Sequence, residues 1–229
     1  MRESKVKESE GASRQNLVIF DCDGVLVDSE QLGLSILAKM LRKLGVDISD
    51  EVAISRFRGR RIAECLAEIE GSHGITLPSD FERRFRSEAQ NSFASDLQAV
   101  DGVVDALNVI QARTCVASSA PLDKIHFTLS LTGLLARFAG RIFSAYEVQS
   151  WKPDPTLFRH AARMMDSVPA RTIVIEDSIV GVMAGVAAGM TVLGYASHDR
   201  AGELLDAGAS TTFSTMALLP DLISQYQSR

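Results

Sequence analysis

From Asp101 onward the chain alternates short apolar runs with segments of helical period, and this alternation constrains the fold more than any other feature. Residues 102 to 112 read as a helix through Val103, Val104, Leu107 and Ile110, and Thr114-Cys-Val-Ala-Ser118 as a short buried strand ending at two serines. A helix from about Pro121 to Leu131 follows, then a weak strand at Arg141-Ile-Phe-Ser144, a helix from about Asp154 to Met165 and the strong strand Thr172-Ile-Val-Ile175. The small residues Gly181, Ala184, Gly185 and Ala188 predict a helix from Ser178 to Ala188 packed closely on a sheet. The strand Thr191-Val-Leu-Gly194 and a final strand-helix pair complete the series. Alternating β and α elements imply a parallel sheet wound with right-handed crossovers.

One more strand lies far upstream. Leu17-Val-Ile-Phe20 is apolar throughout and stops at Asp21, with Asp23, Gly24 and Asp28 just beyond. Helical spacing then dominates: Leu32, Ile36, Leu37, Met40, Leu41 and Leu44 mark a helix ending at Gly45, and three further helices are expected near 49 to 56, 60 to 71 and 79 to 95. An all-helical insert of roughly 65 residues is too long for a plain connection and should form a cap. The expected fold is therefore α/β, a Rossmann-like parallel sheet core over residues 16–30 and 98–229 with a helical cap domain at 31–97 inserted after the first strand. Residues 1–15, polar and charged, read as a disordered leader.

Bulk composition narrows the partners. A net charge of −5 offers no overall attraction to nucleic acid or to an anionic membrane surface, so an anionic substrate must be held by local cations or a metal. No run approaches the length needed to span a bilayer. Cys22, Cys65 and Cys115 are an odd, widely spaced set that fits neither a disulfide framework nor a zinc site, and a reduced cytoplasmic setting is expected. A monomer or weak dimer is the expected state.

Polar groups recur at the ends of the expected strands. Asp21 and Asp23 follow the first, Ser118 and Ser119 the second, Lys152 the third, and Glu176 with Asp177 the fourth. Each alone has a bland explanation: an Asx-rich turn, a helix cap, a solvated lysine. Together they line the carboxyl edge of a parallel sheet, where loops diverge and ligands bind. Four carboxylates against the single positive charge of Lys152 call for a cation, and hard oxygen ligands select Mg2+. With Mg2+ bound, a phosphate dianion could approach, its remaining oxygens held by the Ser118 hydroxyl and the Lys152 ammonium. The pattern points to phosphoryl transfer.

At these residues the chain resembles the haloacid dehalogenase-like phosphohydrolases with a helical cap after the first motif. That motif, DxDGxxxD, stands as Asp21-Cys-Asp23-Gly-Val-Leu-Val-Asp28; the others stand as Val116-Ala-Ser118, Lys152-Pro-Asp-Pro and Glu176-Asp177-Ser. The resemblance implies Asp21 as nucleophile and Asp23 as general acid and base. It also implies Mg2+ bound by the Asp21 carboxylate, the Asp23 backbone carbonyl and Asp177, with Glu176 as a further or water-mediated ligand. Asp28 would be a hinge or cap-linking residue.

An acid at position 23 favours phosphate esters over halides, whose departure needs no proton. Within the capped branch the chain is similar to β-phosphoglucomutases and to sugar-phosphate phosphatases. Mutases of that kind carry a His where this chain has Gly33, and polar residues where it has Ala120-Pro121-Leu122. A phosphatase acting on a sugar phosphate or sugar-acid phosphate, such as 6-phosphogluconate, is therefore expected, with a mutase as the alternative. In the run Arg56-Phe-Arg-Gly-Arg-Arg61, Arg58 and Arg61 are candidates to grip a carboxylate or second phosphate. The run Glu82 to Glu88 reads as a solvated face, Met164 with Met165 as core, and Cys22 as turned away from its flanking aspartates.

Overall fold

The computed structural model describes residues 16–57, 60, 62–196 and 200–227. Expectations for residues 1–15 and for Arg58 and Arg61 fall outside the described residues. Strand β1 (Leu17–Phe20) is the first described element and is completely buried. Among the described residues the helices α1 (Ser29–Arg42), α2 (Asp50–Phe57), α3 (Ile62–His73) and α4 (Phe81–Asp96) follow. Then come α5 (Val103–Val109), β2 (Arg113–Ser118), α6 (Leu122–Leu131), β3 (Ile142–Ser144), the one-turn α7 (Ala145–Val148) and α8 (Thr156–Met164). Strand β4 (Thr172–Glu176), α9 (Ile179–Ala187), β5 (Thr191–Tyr195), α10 (Ala201–Asp206), β6 (Thr211–Phe213) and α11 (Leu219–Gln227) complete it.

The six strands form one sheet in the order β3-β2-β1-β4-β5-β6, every neighbouring pair parallel. Strand direction of travel reverses at β1: the chain builds outward through β2 and β3, then returns to β4 on the other side. That reversal opens a crevice at the carboxyl ends of β1 and β4, the position where open α/β sheets bind ligands. Phe20 lies level with Val116 and Ile175, so the residues following the three central strands emerge at one height.

The pleat divides the core in two. Val18 and Phe20 face a cluster with Ala106 of α5, Ile125 and Leu129 of α6 and Ile223 of α11, while Leu17 and Ile19 face Leu157 and Phe158 of α8, Val182 of α9 and Leu204 of α10. A strand coated by helices on both sides has no solvent face, which is why β1 and β4 read as unbroken apolar runs. The close α9 contact expected from small residues is present: a Cβ on Gly185 would lie 2.6 Å from Val192 Cγ2.

The helical insert joins the sheet through two adjacent segments. Val27 and Ala99 form an antiparallel bridge, and the Asp28 amide donates to Gln98 O at 3.0 Å. Asp28 thus lies in the tie between insert and sheet. Two sequence expectations need correction. Met165 is buried but Met164 is 60% exposed, because the apolar stripe of α8 runs through Leu157, Phe158, Ala161 and Ala162 and leaves position 164 facing out. Helix α10 was not foreseen between the last two strands; at six residues it is too short to show a period.

Candidate active site

The backbone of β1 continues one step past the strand, where the Asp21 amide donates to Ile175 O at 3.0 Å. Cys22 to Val27 then fold back on themselves, Leu26 N and Val27 N both reaching Cys22 O and Gly24 N reaching Val27 O. Gly24 sits at φ +84°, and a Cβ there would fall 2.2 Å from Asp177 Oδ2. Glycine is required for both reasons, and its absence of a side chain lets the β4 acid close against the β1 turn.

Three carboxylates meet at this point. Asp21, Glu176 and Asp177 each offer an oxygen within 4.8 Å of the others. Lys152 Nζ donates to Asp21 Oδ1 at 2.7 Å and also to Glu176 Oε1, with all three side chains buried. The Lys152 ammonium also lies 5.0 Å from the Phe158 ring centroid. The second oxygen of Glu176 accepts from the Ser178 amide at 3.1 Å and hydroxyl at 2.9 Å, so Glu176 is held on both oxygens by its own chain. The small side of α9 makes room for it: a Cβ on Gly181 would lie 2.0 Å from Glu176 Cδ.

Burial pushes the Asp21 carboxyl up to about 7; Lys152 pulls against this and Glu176 reinforces it. Its partners raise the Lys152 ammonium well above the ordinary lysine range despite burial, so the lysine stays charged. Asp23 behaves differently. Burial would raise it, but the Lys124 ammonium and the hydroxyl of Ser29 outweigh burial and hold it below the ordinary carboxylate range.

Lys124 was missed by the sequence reading and corrects its charge balance: two ammonium groups, not one, face Asp21, Asp23, Glu176 and Asp177. Lys124 Nζ stands 2.8 Å from Asp23 Oδ2, while the Ser29 hydroxyl donates to Asp23 Oδ1. Its position is set by docking of α6. Thr128, one turn on and wholly buried, places its hydroxyl 3.8 Å from Cys22 Sγ. Residues four apart share a helix face, so the turn that seats Thr128 on Cys22 brings Lys124 over Asp23. Cys22 itself is buried among core residues on the side of the sheet that α6 covers.

Asp21, Asp23, Ser118, Ser119, Lys152 and Asp177 all line one cavity of about 950 Å³. The Ser118 oxygen accepts from the Ala120 amide at 3.2 Å, which leaves the hydroxyl proton available to donate. The far wall comes from the insert, through Gly33, Phe57, Arg60 and Arg86 among others. Arg58 and Arg61 are outside the described residues, but Arg60 of the same run reaches this wall, paired with Glu68 at 2.5 Å. Glu82 and Arg86 also belong to it, so the run read as a solvated face turns one side to the cavity. A Cβ on Gly33 would meet nothing within 4 Å.

Hard oxygen donors around a carboxyl that burial pushes up fit a divalent cation, because a cation would offset the like charge gathered there. Among the described helices none is long and apolar enough to cross a membrane.

Comparison with known proteins agrees with this geometry. The profile of the haloacid dehalogenase-like hydrolase family matches residues 18–195. Over 211 residues the chain is 35% identical to the 6-phosphogluconate phosphatase of Escherichia coli (strain K12), covering 92% of this chain and 95% of that protein. Among solved structures it is similar to a conserved haloacid dehalogenase-like protein of unknown function from Agrobacterium tumefaciens strain C58, with a TM-score of 0.86 and 33% identity over 92% of this chain and 98% of the other. It is also similar to a HAD family hydrolase from Deinococcus radiodurans R1 with bound phosphate and sodium, at a TM-score of 0.81 and 28% identity over 93% and 96% of the two chains.

Proposed function

The chain belongs to the haloacid dehalogenase-like hydrolase family, and from that membership we propose that it is a Mg2+-dependent phosphatase acting on a sugar phosphate or sugar-acid phosphate. The observation that carries this reading is the Lys152 bridge between Asp21 and Glu176 at the floor of a cavity into which Asp23 also opens. A carboxylate oxygen of Asp21 attacks phosphorus and an aspartyl phosphate forms on Asp21. Asp23, ionised beside Lys124 in the free protein, takes up a proton as the phosphate dianion enters, gives it to the departing ester oxygen, then takes one from the water that hydrolyses the acyl phosphate. Lys152 and the hydroxyls of Ser118 and Ser119 hold the phosphoryl oxygens. Mg2+ would be held by Asp21, Asp177 and the Asp23 backbone carbonyl, with Glu176 as a further or water-mediated ligand, and supplies positive charge that offsets the phosphate dianion.

The cap over residues 31–97 selects the rest of the substrate. Arg60 and Arg86 are described guanidinium groups at the cavity wall, with Arg58 and Arg61 of the Arg56–Arg61 run as further candidates to meet a carboxylate. The relative of 35% identity acts, by its name, on 6-phosphogluconate, a sugar-acid phosphate, which supports this substrate class. Gly33 favours hydrolysis over mutase chemistry, since the helix facing the phosphoryl site carries no side chain there to move a proton. Phosphate release from a panel of sugar phosphates, sugar-acid phosphates and nucleotides, with Mg2+ or with EDTA, tests the proposal. Mg2+-dependent release fastest with a sugar-acid phosphate is expected. Isomerised product without free phosphate, or release indifferent to EDTA, would sink it.

A further inference from the structure

Two lysines divide the two motif aspartates between them. Lys152 is enclosed and serves Asp21, whereas the Lys124 side chain is 39% exposed, lines the cavity and serves Asp23. Docking of α6 does not need the Lys124 ammonium, because Thr128 makes the contact with Cys22 and Ile125 and Leu129 fill the core beneath. A charged group kept beside an acid at the mouth of a cavity, without a packing duty, points to a task during turnover.

We propose that Lys124 is a positioning residue on the leaving-group side of the phosphoryl site, holding the Asp23 carboxyl toward the ester oxygen and placing positive charge beside it. This rests on the phosphatase reading above. In the first step the Asp21 carboxylate bonds to phosphorus, and the phosphorus–oxygen ester bond breaks with its electron pair passing to the ester oxygen. The proton that Asp23 takes up when the phosphate dianion binds moves to that oxygen, and Lys124 keeps all of its own protons. Hydrogen-bond reach from Asp23 to the ester oxygen, added to the 2.8 Å from Asp23 to Lys124, brings the ammonium near the atom that gathers charge. The benefit is greatest when the leaving alcohol is a poor one, as in a sugar phosphate, and small when the leaving group departs readily as an anion.

Lys124→Met and Lys124→Arg, assayed with 6-phosphogluconate and with p-nitrophenyl phosphate, separate this role from a structural one. Lys124→Met should lower kcat for the alkyl ester about 100-fold and for the nitrophenyl ester no more than about 10-fold, the range one proton-transfer group contributes. KM for the nitrophenyl ester should move little, and Lys124→Arg should recover part of the alkyl-ester rate. A Tm within about 2 °C of the parent shows that the fold is kept. Equal losses on both esters, or none on either, overturn the inference while leaving the phosphatase reading intact. If Lys124→Met unfolds, the ratio of the two rates in Lys124→Arg decides, an unchanged ratio overturning it and a fall on the alkyl ester alone supporting it. Parent protein inert toward both esters would overturn the phosphatase reading and this inference with it.

Discussion

Lys152 Nζ stands 2.7 Å from Asp21 Oδ1 and donates to Glu176 as well, so one buried ammonium ties together the acids at the carboxyl ends of the neighbouring strands β1 and β4. Replacing it with methionine strands two carboxylates in a closed site. Lys152→Met should cost on the order of 3 kcal/mol, because removing one partner of a buried ion pair leaves uncompensated charge. Thermal unfolding would show this as a fall of roughly 6–12 °C, with phosphate release lost; an unchanged Tm would contradict the bridge.

Asp21→Asn keeps the shape of the side chain and removes the charge proposed to attack phosphorus. Turnover should fall by at least about 1000-fold with the circular dichroism spectrum unchanged. Near-parental rates in a verified variant would remove Asp21 from the nucleophile's role.

Stability of the metal-free protein should depend on pH through Asp21. Its folded pKa, up to about 7, lies above the ordinary aspartate value of 3.8. The folded state therefore binds a proton that the unfolded chain has already released, and the stabilisation is complete below the unfolded value and lost as pH rises through about 7. A cation relieves the charge that accumulates above that point. Mg2+ should accordingly raise Tm by at least about 3 °C more at pH 8 than at pH 5. Equal Mg2+ shifts at the two pH values would be the contrary result.

Two glycines give opposite predictions. Gly33 lies inside helix α1 with open space where a Cβ would go, so Gly33→Ala should stabilise by about 0.5–1 kcal/mol. Gly24 combines φ +84° with Asp177 Oδ2 at 2.2 Å from the same imaginary atom, and Gly24→Ala should destabilise and lower activity together. Paired thermal melts and phosphate-release rates read both signs.

Arg60→Ala should raise KM for a sugar-acid phosphate about 10-fold and change KM for p-nitrophenyl phosphate far less, since only the first has an anionic tail. A matched rise on both esters would place Arg60 outside substrate recognition.

Much of the site was legible because a buried parallel strand announces where it stops. Asp21, Ser118 and Glu176 interrupt apolar runs, and one topology puts those interruptions at the same edge. Lys124 gave no such signal. It lies within a helix, and its relevance depends on which face of α6 meets Cys22, a contact 106 residues apart in sequence. Arg86 was similarly hidden, because a mixed-charge helix looks solvated whichever side faces a cavity. Met164 failed for the converse reason: an apolar residue one step off a stripe is indistinguishable from one on it until the helix is docked.

The Val27–Ala99 bridge has an architectural consequence. Chain departing toward the helices and chain returning from them pass within roughly 5 Å, the spacing of an antiparallel pair. The sheet therefore sees the insert as a loop with a fixed doorway, whatever its contents. Everything beyond that doorway can be exchanged while the strand ends that carry Asp21, Ser118 and Glu176 keep their register.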